Sequence, residues 1–458
     1  MSQPLVPTLP LEAEFQPTEQ QVKALDQLSW FMNQTSIYLF LLAGYAGVGK
    51  SRCIFQLVKE LLLQGKRLVM TAPTHKAVNV LRRMASEQDI TGVDFMTVHA
   101  LMGLSLARRG EEKVLQQTGV NYAGLFDLVV IDECSMVDQQ LWHFIEQIAA
   151  GTSPQLFAAK RPKIILMGDP AQLNPVNEGR SPAFNVPDKA VLTHVVRQGK
   201  DNPLLEFVTT CRQAVIKTKV PFKPFALASP NKHQGALLVR RSRLLQHACK
   251  QITQYFAQDP DRFRVLCWTN HQVDDYNQQI RSHLYGNHSP RFMRHERLIA
   301  RDPIYAPDRK TILMQTSTEF TVRESHEDRY AGYQAWRLVV ELDEGLQKQL
   351  YALHEADQPR FDLEAEQLLA SAKRTPFLWR RYYQHLETFA NVRPCFALTV
   401  HNSQGSTFRE VGIDGADLSK RLNPDRADTS AERKAKVKEH NRLWYVSASR
   451  AQQRVLIC

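Results

Sequence analysis

Short apolar runs that each end in a cluster of glycine, acidic or hydroxyl residues recur along this chain and alternate with stretches of helical period. Residues 37–42 are apolar, lead into Gly44-Tyr45-Ala46-Gly47-Val48-Gly49-Lys50-Ser51, and give way to a helical pattern over 53–63. Residues 67–71 lead to Ala72-Pro73-Thr74-His75-Lys76-Ala77 and a helix to residue 85, and a further strand and turn give Thr97-Val98-His99-Ala100. Residues 128–131 run into Asp132-Glu133-Cys134-Ser135 and a helix over 137–149, and 163–167 end in Gly168-Asp169-Pro170-Ala171-Gln172-Leu173. Buried strands alternating with helices predict a parallel sheet with its functional loops at the carboxyl edge.

The pattern restarts at 264–268, an apolar strand ending in Thr269-Asn270 with a helix over 273–284. It resumes at 395–400, a strand ending in His401-Asn402-Ser403-Gln404-Gly405. A helix containing Trp444-Tyr445-Val446 then ends at Ser447-Ala448-Ser449-Arg450, and a last strand covers 454–458. This predicts a second α/β domain interrupted by an insertion. Two stretches read as inserted: residues 104–117 alternate like a short hairpin around Gly110, and residues 298–392 carry β-patterned 319–323 and 336–342 followed by a helical, aromatic part. In that part Phe377, Trp379 and Tyr382 are expected to form a helix core with Arg380 and Arg381 solvated; clamping DNA, bracing the hairpin and docking a partner are the alternatives.

The first cluster carries the most chemistry. Its glycines let successive backbone N–H groups turn inward around a triphosphate, Lys50 reaches the β and γ phosphates, and the Ser51 hydroxyl can ligate magnesium. Asp132 and Glu133 stand at the end of a buried strand, where two acids are costly unless something positive sits beside them. Asp132 can hold magnesium, directly or through water, and Glu133 is placed to orient and deprotonate an attacking water. The alternative, an acidic pair capping the next helix, leaves the phosphate loop without its metal partner.

At 458 residues the chain is too long for one compact core, so several domains are expected. A net charge of +11 suits a polyanionic partner. The seven cysteines show no C-x-x-C pair and no histidine cluster, which argues against zinc or iron–sulfur sites and for reduced thiols in the cytoplasm. The Pro-rich N-terminus lacks a basic start and a long apolar core, and the run at 37–42 is too short to span a bilayer, so no membrane role is expected.

Taken in order, these motifs resemble those of superfamily 1B (5'-3') DNA helicases, the branch that includes Dda-, RecD- and Pif1-like enzymes. The resemblance implies two RecA-like P-loop NTPase domains with ATP and magnesium between them. Domain 1A would span 16–200 with a 1B hairpin at 103–124, after a flexible N-terminus at 1–15. Domain 2A would take 201–297 and 393–458, and an SH3-like 2B barrel with helical elaboration would fill 298–392. The resemblance assigns adenine reading to Gln20, γ-phosphate sensing to Gln172 beside Asp169, and arginine fingers to Arg197 and Arg450. It adds Gly405 to the residues around ATP. A finger supplied across the cleft is worth about 10^3 to 10^5 in rate.

For a single-stranded DNA track the resemblance points to Thr74, His75 and Lys76, to Thr97 and His99, to Thr269 and Asn270, and to Thr399, His401 and Ser403. Hydroxyls, amides and imidazoles at strand ends can bond phosphates without reading sequence, although each taken singly also fits a cap or turn residue. Val48 stands where relatives carry threonine, and Asn402 where they carry lysine. The implied activity is ATP-dependent 5'-to-3' translocation and duplex unwinding by a monomer at single-strand/duplex junctions, with single-strand-binding protein or replisome components as further partners. A translocase that strips proteins or works on RNA remains the alternative, as does a binding scaffold with a dead ATP site.

Overall fold

The computed structural model describes residues 16–109, 112–157, 160–175, 178–195, 202–217, 220–308, 312–343, 345–425 and 428–458. Its first sheet has six parallel strands in the order Val93–Thr97, Leu68–Ala72, Leu128–Ile131, Lys163–Gly168, Leu39–Gly44 and Lys189–Leu192. Alternate residues of these strands point to opposite faces, and both faces are covered. Leu42, Met70 and Val130 pack under the helices Lys50–Leu63 and His75–Ser86, while Leu41, Val69 and Val129 pack against the helix Gln139–Ala150. That is why the strands read as continuous apolar runs rather than alternating ones.

A second six-stranded sheet has the order Ala397–Thr399, Phe263–Cys267, Phe408–Ile413, Ala451–Ile457, Gly235–Leu238 and Leu227–Ala228, parallel except for the last pair. Between its strands the chain makes an antiparallel sheet of Gln347–Leu353, Tyr333–Leu342, Glu319–Tyr330, Arg297–Ala300 and Val392–Pro394. The helices Gln358–Arg374 and Trp379–Leu386 follow the strand Gln347–Leu353. A hairpin of Leu104–Arg109 and Glu112–Gln117 stands on the first sheet's unit, tied down where the Leu115 N–H donates to Gln140 Oε1 at 2.7 Å.

Two expectations differ from what is observed. The β pattern read at 319–323 continues to Tyr330, because pairing with Tyr333–Leu342 carries the strand through Arg323, Glu324 and Glu327 to Arg329, where no apolar alternation marks it. The aromatic helix is not a core: no residue of Trp379–Leu386 is buried, and Phe377 is 79% exposed. The rings pack on one another instead, Trp379 stacking on Tyr383 at 5.7 Å.

The three sheets meet at one carboxylate. Glu319, at the start of its strand in the insertion, accepts from Lys76 Nζ at 2.6 Å, from Arg264 Nη2 at 3.0 Å and from Arg297 Nε at 3.0 Å. Lys76 belongs to the first sheet's unit, Arg264 to the second sheet and Arg297 to the insertion itself. Burial opposes the charge, yet the three cations hold the Glu319 carboxyl well below the usual carboxylate range. Glu319→Ala leaves the Arg264 guanidinium buried without a counter-charge, an expected loss of about 3–5 kcal/mol. Urea unfolding of the variant measures it, and a stability equal to wild type would show that the cluster is dispensable.

Candidate nucleotide site and nucleic-acid interface

The phosphate loop forms where the strand Leu39–Gly44 passes into the helix Lys50–Leu63. Gly47 and Gly49 have φ of 79° and 87°, a region that only glycine adopts cheaply. A Cβ at Gly44 would meet the Val48 side chain at 2.8 Å and the Leu192 carbonyl at 3.0 Å, so the loop closes tightly onto the sheet. Gly49 supplies no capping side chain, which leaves the helix N–H groups facing the loop, the arrangement that suits a polyphosphate. Lys50 Nζ donates to the Gly44 and Tyr45 carbonyls at 2.8 and 3.1 Å, bridging the loop.

Asp132 and Glu133 stand at the end of the strand Leu128–Ile131, next to that loop. Burial raises the Asp132 carboxyl, against the Glu133 N–H, which donates to Asp132 Oδ1 at 2.8 Å, and against the Lys50 charge. Burial and the neighbouring Asp132 push Glu133 up to about 7, opposed by Arg450 and Lys50. Glu133 also holds φ at 52°, a left-handed conformation that costs a non-glycine residue of order 1 kcal/mol or more. A half-buried, strained acid titrating near neutrality is fitted to accept a proton from water. Ser51 and Asp132 together offer the hydroxyl and carboxylate that magnesium takes beside phosphates; among the described residues no cluster of three His, Cys, Asp or Glu offers a separate metal site.

The second domain reaches into this site through the helix Ser430–Ser449. Tyr445 donates to Asp169 Oδ2 at 2.5 Å and accepts from the Ala46 N–H of the phosphate loop at 3.0 Å. Arg450 is 6% exposed, bonded to the carbonyls of Val446 and Ser406, and close enough to Glu133 to act on its charge. Gln172 is buried beside Ser135, its Oε1 3.5 Å from Ser135 Oγ. A cavity of about 180 Å³ opens beside the loop, lined by Ala46, Gly47, Arg212, Tyr445 and Gln452 among others, with Arg212 lying 4.3 Å over the Tyr45 ring. Neither Tyr445 nor Arg212 was singled out from sequence. Tyr445 lies in a quoted motif, and the signal was there: a buried tyrosine needs a partner for its hydroxyl. Arg212 sits in an ordinary amphipathic helix, where nothing in the sequence marks it.

Several expected residues are placed elsewhere. Gln20 is exposed and turned to the edge of the sheet, where its Oε1 accepts from the N–H groups of Thr193 and His194 at 3.0 Å each. Its neighbour Gln21 is the one that touches the phosphate loop, donating to the Val48 carbonyl at 3.0 Å while capping its own helix at Thr18. The capping box, in which Thr18 and Gln21 bond one another, fixes which of the two glutamines turns inward. Gly405 has φ of 74° and lies against Ala77 of the helix His75–Ser86, where a Cβ would come within 3.1 Å, so close packing accounts for that glycine. Arg197 and Gly110 lie outside the described residues.

The residues expected on a nucleic-acid track do stand at strand ends: Ala72 pairs with Thr97 in the first sheet, and Cys267 with Thr399 in the second. Thr74, Thr97 and Thr269 accept from the N–H three residues on, each capping a helix. Thr269 also donates to Asp417, Asn270 accepts from Arg393, Thr399 accepts from the Asn402 N–H, and the buried Ser403 donates to the Val400 carbonyl. Lys76 is engaged by Glu319. Burial lowers the pKa of both His99 and His401, so at neutral pH they are hydrogen-bonding groups rather than cations. His75 stands near enough to His99 to influence it.

Comparison with known proteins agrees with this architecture. A family described as an AAA domain matches residues 17–220. The chain is 33% identical over 199 residues to the uncharacterised protein R530 of Acanthamoeba polyphaga mimivirus, covering 39% of this chain and 37% of that protein. It is 26% identical over 145 residues to the ATP-dependent DNA helicase dda of Enterobacteria phage T4, 31% of this chain and 30% of that one. It is 27% identical over 153 residues to the RecBCD subunit RecD of Buchnera aphidicola subsp. Schizaphis graminum, 30% and 23% respectively. The chain thus spans little more than a third, or less, of the length of these relatives. A structure of two coordinating Pif1 helicases at forked DNA matches with a TM-score of 0.51 at 15% identity, over 97% of this chain and 92% of that one. Pif1 from Bacteroides with ADP-AlF3 and single-stranded DNA matches with a TM-score of 0.50 at 14% identity, over the same shares. The likeness in structure shows the fold, two RecA-like domains with insertions, and the resemblance to superfamily 1B helicases is borne out.

The phenol of Tyr445 occupies an N–H of the phosphate loop, so a phosphate that takes the Ala46 N–H must replace it. Tyr445→Phe removes that competitor and is expected to tighten ADP binding by about 1 kcal/mol, roughly fivefold. Titration with a fluorescent ADP analogue measures it; unchanged or weaker binding would show that the hydroxyl does not compete.

Proposed function

We propose that this chain is an ATP-dependent DNA helicase that moves 5'-to-3' along single-stranded DNA and separates duplex at single-strand/duplex junctions. The observation that carries the reading is the meeting of Lys50, Asp132, Glu133 and Arg450 in one cleft between two sheets whose carboxyl ends both present capped, polar strand ends. ATP, when bound, supplies the phosphoanhydride whose cleavage drives the cycle. Lys50 and the loop N–H groups hold its phosphates, and Ser51 and Asp132 are the residues that would hold magnesium. Glu133 takes the proton of the attacking water on its carboxylate. Arg450, and Arg197 by resemblance, set positive charge against the phosphate being transferred.

The strand-end residues supply the track. Hydroxyls, amides and neutral imidazoles bond phosphates without regard to base, which suits a motor that passes over every sequence. The hairpin Leu104–Gln117 is the candidate strand-separating pin. No helix of the described residues is long and apolar enough to cross a membrane, and the seven cysteines are unpaired, six of them buried, which supports a reducing, cytoplasmic setting.

Glu133→Gln keeps the shape of the side chain and removes the base; it is expected to bind ATP and single-stranded DNA and to hydrolyse at least about 10^2-fold more slowly. Unwinding of 5'-tailed, 3'-tailed and blunt duplexes tests the rest. Preference for the 3' tail overturns the direction, and DNA-stimulated hydrolysis without strand separation leaves a translocase. Because Glu133 must be deprotonated to act and titrates near 7, hydrolysis should fall about tenfold per pH unit below that point and level off above it. A rate constant from about pH 6 to about pH 8 would remove Glu133 from the role of base.

A further inference from the structure

The helical part of the insertion carries a charge that neither the nucleotide cleft nor the strand-end track uses. From residue 367 to residue 386 there is no Asp or Glu, and Lys373, Arg374, Arg380 and Arg381 all fall there, in an insertion where acids outnumber bases. Arg374, Arg380 and Arg381 are exposed, and among the described residues none of the three is held in an ion pair. Between them stands Phe377, at 79% the most exposed large hydrophobic side chain described. A face of solvated charge alone interleaves both signs and needs no ring. Here one sign is segregated and an aromatic face is left in water.

Ring contacts mount this face on the antiparallel sheet. His385 stacks on Phe361 at 4.0 Å, and Phe361 packs with Tyr333 and Phe389, which pins the inner side of the helix Trp379–Leu386 to the antiparallel sheet. Trp379 meets Tyr382 edge-on at 5.8 Å and stacks on Tyr383, stiffening the segment that follows Phe377. Tyr333 lies just past the turn of the long hairpin whose strand begins at Glu319, so the face is on a different part of the insertion from the Lys76–Glu319 pair.

We propose that this face is a second contact for single-stranded nucleic acid, separate from the strand-end track, in which Arg374, Arg380 and Arg381 pair with phosphates and Phe377 stacks on an unpaired base. A duplex offers phosphates but no free base face, and an acidic peptide needs no ring; cations around an exposed ring fit a single strand. The contact rests on the helicase reading, since it takes a strand that already lies in, or has left, the cleft. In that setting it lengthens the site and adds to grip without entering the hydrolytic chemistry.

The test uses the full chain and labelled oligothymidylate of about 8 and about 24 nucleotides, the shorter filling one track and the longer reaching beyond it. A variant combining Phe377→Ala, Arg380→Ala and Arg381→Ala changes exposed side chains only, and an unchanged thermal midpoint verifies its fold. The variant is expected to bind the short strand and show oligonucleotide-stimulated hydrolysis like wild type. Its affinity for the long strand should fall about tenfold, with a slope of log affinity against log salt shallower by about 1.4 for two lost phosphate contacts. Phe377→Tyr, which keeps a ring, should retain the long-strand affinity. Equal affinity for the long strand in variant and wild type overturns the proposal, as does equal loss for both lengths, which merges the face with the track. Loss confined to blunt duplex overturns it in favour of a duplex contact. Wild-type protein whose hydrolysis no oligonucleotide stimulates defeats the helicase reading itself, an outcome distinct from any of these.

Discussion

Glu319 is a carboxylate almost out of reach of water, and its charge survives only because three parts of the chain deliver cations to it. Removing an ion of this size from water costs several kcal/mol even after relaxation, so the site persists only with Lys76, Arg264 and Arg297 in place. Each cation comes from a different structural unit, which converts an electrostatic requirement into a geometric one. The first domain, the second domain and the insertion are held in register by the need to satisfy one carboxylate. Within the cluster the partners are unequal: the Arg264 side chain is 0% exposed, whereas Lys76 is 19% exposed. The pair that links the first domain to the insertion is therefore the one cheapest to exchange for another anion.

The nucleotide cleft stores a cost of a different kind. Glu133 carries backbone strain whatever its protonation state, and desolvation together with the neighbouring Asp132 raises the energy of its charged form. Such expense in a core that is otherwise packed with Ile, Val and Leu marks a place where folding has been subordinated to chemistry. The opposing charges, Lys50 on the same domain and Arg450 on the other, bring the acid back to near neutrality. Had either domain carried the site alone, the carboxyl would lack one of the two cations that restrain its rise.

Much of this was legible in the sequence, for identifiable reasons. A phosphate loop is local: glycines at fixed spacing, a lysine and a hydroxyl, with strand before and helix after. Buried parallel strands are equally local, because covering both faces removes the polar alternation. What escaped was whatever depends on distant partners. Lys76 is bound to a glutamate 243 positions away, so nothing near it in sequence diverts it from the track. The outer half of the strand Glu319–Tyr330 is polar and is held by its partner strand rather than by an apolar face. Gln20 and Gln21 differ only in which one the capping box turns inward. The aromatic helix misled in the opposite direction, since rings at helical spacing usually mean a core and here pack on each other at the surface.

The two sites are joined by a short structural route. Arg450 donates through Nη1 to the Ser406 carbonyl at 3.2 Å and receives the Phe408 N–H on its own carbonyl at 2.8 Å. Ser406 follows Gly405, and Gly405 rests on Ala77, the residue after Lys76. Phe408 lies under the Lys76 ammonium at 5.5 Å. The Ser406 carbonyl that Arg450 bonds belongs to the turn that packs on the helix His75–Ser86. A glycine makes that contact because a Cβ there would come within 3.1 Å of Ala77. The residues beside Glu133 and the strand ends proposed as a track thus share one turn, Gly405 to Phe408, which bonds Arg450 on one side and packs on Ala77 on the other.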